Sequence, residues 1–326
     1  MIDLYEPSKA YIIKYPEAVK FAEMQEGIFW TAKEIAVEKD IQDLRVNMTE
    51  AEQHGVITTL RLFTLYELFA GADYWLGRVL RRFQKPDIQR MAATNGFFEL
   101  NVHAPFYNKL NEALMLNTPE FYEGYVKDKT LKERMDFINS VVDDPDDLVS
   151  LGVFTLVEGA VLYSSFAFLK HFQSKGKNKL LNVVRGINFS VRDENLHAMS
   201  GAWLYNTLRG QLLDTGKGEY RVACENAVER ITEAARAIYE HESKIVDMIF
   251  EKGDIEGITI QQMKEFVKSR INLCLKHLGI DPIFIIYEDV ISDWFYDSIN
   301  TVQFGDFFTG VTSEYNRNWS ENAFTW

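Results

Sequence analysis

Residues 148–169 read LVSLGVFTLVEGAVLYSSFAFL, an apolar run with a single charge, Glu158. About 20 such residues are enough to cross a bilayer. The run is therefore either a membrane span or the central helix of a large bundle. A carboxylate near the middle is costly in lipid, and the run stands alone among amphipathic neighbours. A helix that is apolar all round also suits the centre of a soluble bundle. The reading adopted is a buried helix, with Glu158 set inside a protein core.

The sequence on either side agrees with this. The acidic turn DDPDD at 143–147 places negative charge at the positive end of the helix that follows. Gly176, in HFQSKGKNK, marks the break after it. Further helices are expected over roughly 180–208 and 218–251, the second stopping at Lys252-Gly253-Asp254. Upstream, Thr49-Glu50-Ala51-Glu52 fits a capping box opening a helix through Leu60, Phe63 and Glu67. Thr118-Pro119 reads as an N-cap and first helical residue. The chain has only 7 prolines, and none lies between Pro145 and Pro282. No repeat, low-complexity block or glycine-rich phosphate loop occurs, and strand-like alternation is scarce. The expected fold is all-α, one large helical bundle over residues 1–295.

After Trp294 the text changes to FYDSINTVQFGDFFTGVTSEYNRNWSENAFTW, aromatic and polar without helical period. Residues 296–326 are read as a C-terminal tail. It is either a frayed terminus or a flexible segment whose aromatic residues anchor a partner.

Composition excludes several classes. With 47% hydrophobic and 25% charged residues over 326 positions, the chain is neither disordered nor collagen-like. Lys+Arg 35 against Asp+Glu 48 gives a net charge of −13, which repels phosphate backbones and argues against nucleic-acid binding. The two cysteines, Cys224 and Cys274, form no metal-spaced cluster and suit a reduced, cytoplasmic protein. The opening MIDLYEPSKAY has no basic segment leading into an apolar run, so no export signal is expected.

The chemistry is carried by acids in apolar helices. Glu67 lies in LRLFTLYELFAG, Glu99 in NGFFELNVH and Glu158 in FTLVEGAVLY, while a fourth segment reads Asp193-Glu194-Asn195-Leu196-His197. An isolated carboxylate in such surroundings takes up a proton or needs a cation. Four acids on four helices can share one solution, a pair of metal ions. Residues three or four apart share a helix face, which groups Glu194 with His197 and Glu99 with His103. In di-metal four-helix bundles, two helices each give one carboxylate and two each give a Glu/His pair. Glu67 and Glu158 then serve as the single donors. Oxygen donors with a few imidazoles suit iron or manganese. Glu50 and His54 share the Glu99/His103 spacing, but in TEAEQHG they read as a solvated first turn. Tyr107 follows His103 by four residues, one turn on and facing the same way.

These segments resemble the small, radical-generating subunit of class I ribonucleotide reductase, over most of the chain. FTLYELFAG is similar to the family's first-ligand helix, with Glu67 where Asp is usual. VEGAVLYSSFAF is similar to the third-ligand helix, with Leu162 and Phe166 where the family builds an apolar pocket around its radical. RDENLH resembles its most specific motif, and IFEKGDIEGI its late-helix text. GIFWTAKEI resembles the N-terminal segment whose Trp, here Trp30, relays an electron. The resemblance makes Asp193 the carboxylate that orients a ligand imidazole.

One departure stands out. The family pattern is Glu-x-x-His with Tyr four residues later, whereas Glu99 and His103 are one residue further apart. Aligning from Glu99 instead would place Val102 at the ligand and Phe106 at the radical position, and valine cannot bind metal. Pro105 has no N–H for the carbonyl of Asn101 and crowds that turn. A π-bulge or kink there would absorb the extra residue.

The resemblance implies a ferritin-like bundle with extra helices around two metal ions. Di-iron is the first expectation, with manganese–iron and di-manganese as alternatives. The centre activates an oxygen species, and the oxidising equivalent is stored on Tyr107. It passes through Trp30 and a tail tyrosine, Tyr315, to a separate large catalytic subunit that binds the ribonucleotide. A homodimer with no membrane partner is also implied. Two competing readings are a related di-metal oxidase or hydroxylase acting on its own substrate, and an iron-storage or structural bundle.

Overall fold

A computed structural model describes residues 2–296. After α1 (Pro16–Gly27), short 3-10 and π turns lead to α2 (Glu50–Phe69). This helix runs on through a π-helical stretch, Ala70–Val79, into α3 (Leu80–Arg82). α4 (Pro86–Phe98) passes through a single π turn, Glu99–His103, into α5 (Ala104–Ala113). α6 (Pro119–Lys127) and α7 (Lys129–Val142) form an outer pair. α8 (Asp147–Ala160) and α9 (Tyr163–Lys170) occupy the centre. The long α10 (Leu181–Asp214) and α11 (Gly218–Ile249), then α12 (Ile260–His277) and α13 (Val290–Phe295), complete the order. Among the described residues there is no strand, only an isolated bridge between Ile255 and Ile258.

Local chemistry explains where the helices start. Thr49 Oγ1 accepts from Glu52 N at 3.2 Å, and Glu52 returns a carboxylate to Thr49 N at 2.8 Å. This is the expected capping box. Thr118 caps α6 through Phe121 N, and Asp146 caps α8 through Leu148 N. A further capping box, Thr259 with Gln262, which the sequence reading did not expect, opens α12.

Every residue of α8 is buried, against α10, α11 and α12. The stretch Asp147–Ser174 is long and apolar enough to cross a membrane, yet its most apolar part is 100% buried inside the bundle. It is a core helix. The run is not one continuous helix, however. It breaks at 161–162, where Leu162 is held left-handed at φ 72° with its side chain buried. No glycine marks this break, so nothing local announced it. Tertiary contacts on the end of α8 outweigh the cost of a non-glycine residue in that region.

Two glycines permit close approaches that matter for the centre. A Cβ at Gly71 would stand 2.9 Å from Glu99 Cβ, so the absent side chain lets the π-helical stretch pack on the π turn. A Cβ at Gly159 would stand 2.3 Å from Cys274 Sγ and 3.2 Å from Ala198 Cβ. Gly159 therefore brings α8, α10 and α12 together beside Glu158.

At the end of α9, His171 has no exposed surface and its ring lies 4.1 Å from that of Phe172. Burial pulls its pKa down to about 4. The native state thus prefers the neutral ring, while the unfolded chain takes a proton below about 6.5. This contribution to stability is complete above that pH and is lost as pH falls toward 4, amounting to about 3 kcal/mol. Urea titrations from pH 7 to pH 4 are expected to show a flatter acid limb for His171→Met than for the natural chain. An unchanged limb would show that the ring is not held neutral.

Candidate metal centre

Four helices deliver six side chains to one buried point. Glu67 comes from the last turn of α2, Glu99 and His103 from the π turn between α4 and α5, Glu158 from α8, and Glu194 and His197 from α10. All six are between 0% and 1% exposed. Their donor atoms fall into two groups, each within 4.8 Å: Glu67, Glu99, His103 and Glu194, and Glu99, Glu158, Glu194 and His197. Glu99 and Glu194 belong to both. The six candidates read from the sequence are thus brought together as two overlapping donor groups with two shared carboxylates.

The π turn makes this possible. Ala104 N donates to Glu99 O, five residues back, and the wider turn closes over the segment that ends just before Pro105. Glu99 and His103 then face the same way despite the extra residue, with His103 Nδ1 3.1 Å from Glu99 Oε2. The same nitrogen lies 3.2 Å from Glu194 Oε1 and 3.5 Å from Glu67 Oε2. His197 Nδ1 lies 2.6 Å from Glu99 Oε1 and 3.7 Å from Glu194 Oε2. Both imidazoles turn Nδ1 into the cluster.

Charge decides what the cluster needs. Burial, and then repulsion from Glu99, pushes the Glu67 carboxyl well above the usual carboxylate range. Burial and repulsion from Glu194 do the same to Glu158. Burial disfavours the charged ring of His197, but Glu99 and Glu194 outweigh it and push the pKa up to about 9. Four carboxylates cannot all stay ionised at one dry point without cations. Both oxygens of Glu67 and Glu194, Oε1 of Glu99 and Oε2 of Glu158 accept no well-directed hydrogen bond, although imidazole nitrogens stand close to several of them. Four negative charges match two divalent ions, and the oxygen-rich set with one imidazole per group fits iron or manganese. The residues fit the group.

Supporting side chains surround the cluster. Trp30 Nε1 donates to Asp193 Oδ2 at 2.7 Å, and the same oxygen stands 3.1 Å from His103 Nε2. Indole, carboxylate and imidazole form one buried chain ending at the cluster. On the opposite side Trp75 Nε1 donates to Glu158 Oε1 at 2.7 Å. No local signal marked Trp75; its place in the π-helical stretch, whose wider turns shift the register, carries it inward. Tyr107 is fully buried and its hydroxyl donates to Ser190 Oγ at 3.0 Å. Its ring stacks on Phe63 at 4.3 Å, and Phe63 stacks in turn on Phe166 at 5.3 Å. Phe63 and Ser190 were not singled out from the sequence. His54 is half-buried and turns instead to the carbonyl of Met248 at 2.9 Å, so it takes no part in the cluster, but the turn TEAEQHG packs on α11 with Ala51 and Glu52 buried and is not the solvated turn expected. Tyr315 lies outside the described residues.

Residues 8–289 match the family model described as "Ribonucleotide reductase, small chain". Among curated relatives, the chain is 25% identical over 323 residues to "Probable ribonucleoside-diphosphate reductase small subunit 048L" of Invertebrate iridescent virus 3, covering 93% of this chain and 82% of that protein. It is 26% identical to "Ribonucleoside-diphosphate reductase subunit beta" of Treponema pallidum, covering 83% and 76%. Among solved structures, that of Streptococcus sanguinis dimanganese(II)-NrdF superposes with a TM-score of 0.77 at 20% identity, covering 90% of this chain and 99% of that one.

Proposed function

The chain belongs to the ribonucleotide reductase small-chain family, and on that premise we propose that it generates and stores the radical used by a separate large subunit to reduce ribonucleotides. The observation that carries this reading is the convergence of four carboxylates and two histidines on one buried point, in two groups that share Glu99 and Glu194. Glu67 and His103 would hold one ion, Glu158 and His197 the other, and the shared pair would bridge them. A reduced pair of such ions, di-iron, manganese–iron or di-manganese, would supply the means to activate an oxygen species.

The chain's own residues do the rest. Asp193 accepts from Trp30 and sits against His103 Nε2, which keeps His103 Nδ1 turned toward the cluster. Burial, and then the negative charge of Glu67, holds the Tyr107 phenol well above its ordinary pKa. The neutral phenol therefore gives up an electron only together with its proton, and Ser190 orients that O–H. Phe63, backed by Phe166, covers one face of the ring and helps exclude water and thiols, which would quench a phenoxyl radical. The Trp30–Asp193–His103 chain supports the reductase reading over a self-contained oxidase, because a relay toward another protein is needed only when the substrate is bound elsewhere. Under this reading residues 296–326 dock the large subunit, Tyr315 continues the relay, and the protein works in the cytoplasm as a homodimer.

The test is electron-spin resonance after metal-free protein receives Fe(II) and air. A tyrosyl signal near g = 2 is expected in the natural chain and is expected to vanish in Tyr107→Phe, which still binds two ions per chain. Nucleotide reduction with the large subunit should fall about 10³-fold or more, the scale of losing an essential redox group. A Tyr107→Phe protein with full signal and activity would refute the assignment of Tyr107.

A further inference from the structure

The break between α8 and α9 leaves carbonyls at the end of α8 without helical partners. One of them, Gly159 O, is adjacent in sequence to Glu158. Arg270 of α12 takes it with two donors, Nε at 2.9 Å and Nη2 at 2.7 Å. The third arm, Nη1, donates to Tyr296 Oη at 2.7 Å, and the guanidinium carbon lies 3.8 Å from the centroid of the Tyr163 ring. Arg270 is 1% exposed. Among the described residues its guanidinium forms no ion pair; its bonds go to a helix-end carbonyl and a phenol. Burying a cation without a carboxylate is costly, and the negative end of α8 offsets part of that cost. The planar fork clamps one carbonyl oxygen twice while reaching a phenol, which a lysine cannot do.

The surroundings turn this clamp toward the metal centre. Gly159 has no side chain where α12 and Ala198 of α10 press closest, and Ala198 follows His197 directly. The backbone that Arg270 grips is thus flanked by Glu158 along the chain and by the neighbour of His197 across the helix pair. Glu67 and His103 come from other elements and have no such support.

We propose that Arg270 is a positioning residue for one half of the centre, fixing the helix end that carries Glu158 and tying it through Tyr296 to the segment after α13. The inference rests on the di-metal reading and adds an asymmetry to it: the Glu158/His197 half depends on Arg270, and the Glu67/His103 half does not.

The experiment is titration of the metal-free full-length chain with Mn(II), following free Mn(II) by electron-spin resonance. The natural chain is expected to bind two equivalents. In Arg270→Lys one equivalent should bind as before and the other roughly tenfold or more weakly, the usual scale for residues that orient a metal ligand. Tyr296→Phe, which removes only one hydroxyl, should weaken the same equivalent about threefold. If Arg270→Lys fails to fold, Tyr296→Phe decides by the same criterion. Equal weakening of both equivalents would reduce Arg270 to general packing and overturn the proposal, as would two unaltered equivalents. A natural chain that binds fewer than two ions would overturn the di-metal reading along with it, which separates the two failures.

Discussion

Glu194→Gln is expected to strip both ions from the centre, whereas Glu67→Gln should strip only one. The prediction follows from membership: Glu194 contributes an oxygen to both donor groups and Glu67 to one. The substitution keeps the side chain's size, so little packing is lost, but an amide oxygen carries no charge and cannot bridge two cations as a carboxylate does. Disturbing a residue behind a ligand costs about 10–100-fold in affinity, so losing a shared ligand should cost more than about 100-fold at both positions. Metal analysis after loading with Mn(II) should find two ions per natural chain, one in Glu67→Gln and none in Glu194→Gln. Melting temperature gives an independent readout. Ions that bind only the folded chain add about 2.7 kcal/mol at a hundredfold excess over Kd, and that gain should disappear in Glu194→Gln. Equal loss in the two variants would show that the two groups are not distinct sites.

Trp30→Phe should leave both ions and the Tyr107 signal in place while nucleotide reduction with the large subunit falls by about 100-fold or more. The indole is 1% exposed and lies 5.4 Å, ring to ring, from both Phe106 and Phe189. A phenylalanine fills most of that space. What it lacks is the Nε1–H donor to Asp193 and an indole's readiness to give up an electron. The separation of readouts matters here. Damage to the cluster would appear as lost metal, and damage to the relay would appear only in turnover. Asp193→Asn is a companion, because Oδ2 alone serves both Trp30 Nε1 and His103 Nε2: an amide oxygen there keeps both contacts without the negative charge, and an amide N–H there loses the Trp30 bond. It should lower metal affinity as well as turnover. Full turnover in Trp30→Phe would remove the indole from the path.

Much of the centre was legible because its signals are local. A lone Glu158 in an apolar run is unstable unless something neutralises it, and Glu194/His197 share a face by helical spacing alone. The proline two residues after His103 was enough to anticipate a wide turn, and the turn found there closes from Ala104 to Glu99. The capping residues Thr49 and Thr118 worked for the same reason, since each bonds a backbone N–H three residues away, and the acidic turn at 143–147 supplies Asp146 as the cap of α8. Trp75, Ser190, Phe63 and Arg270 had no such signal. Each meets its partner across a sequence separation of dozens of residues or more, and a buried Trp or Phe in an apolar helix looks the same whether it touches a ligand or only other hydrocarbon. The break at 161–162 was hidden too, because its left-handed residue is a leucine.

The sequence by itself determined that this chain is a helical bundle with acids in its interior, because apolar periodicity and the cost of burying charge are properties of short segments. Only the tertiary structure decided that six of those side chains meet, that two carboxylates are shared, and that Trp30, Asp193 and His103 form one chain. Those facts depend on how helices approach one another. That approach is set by absent side chains at Gly71 and Gly159 and by wide turns at 70–79 and 99–103, whose consequences appear only when distant segments pack.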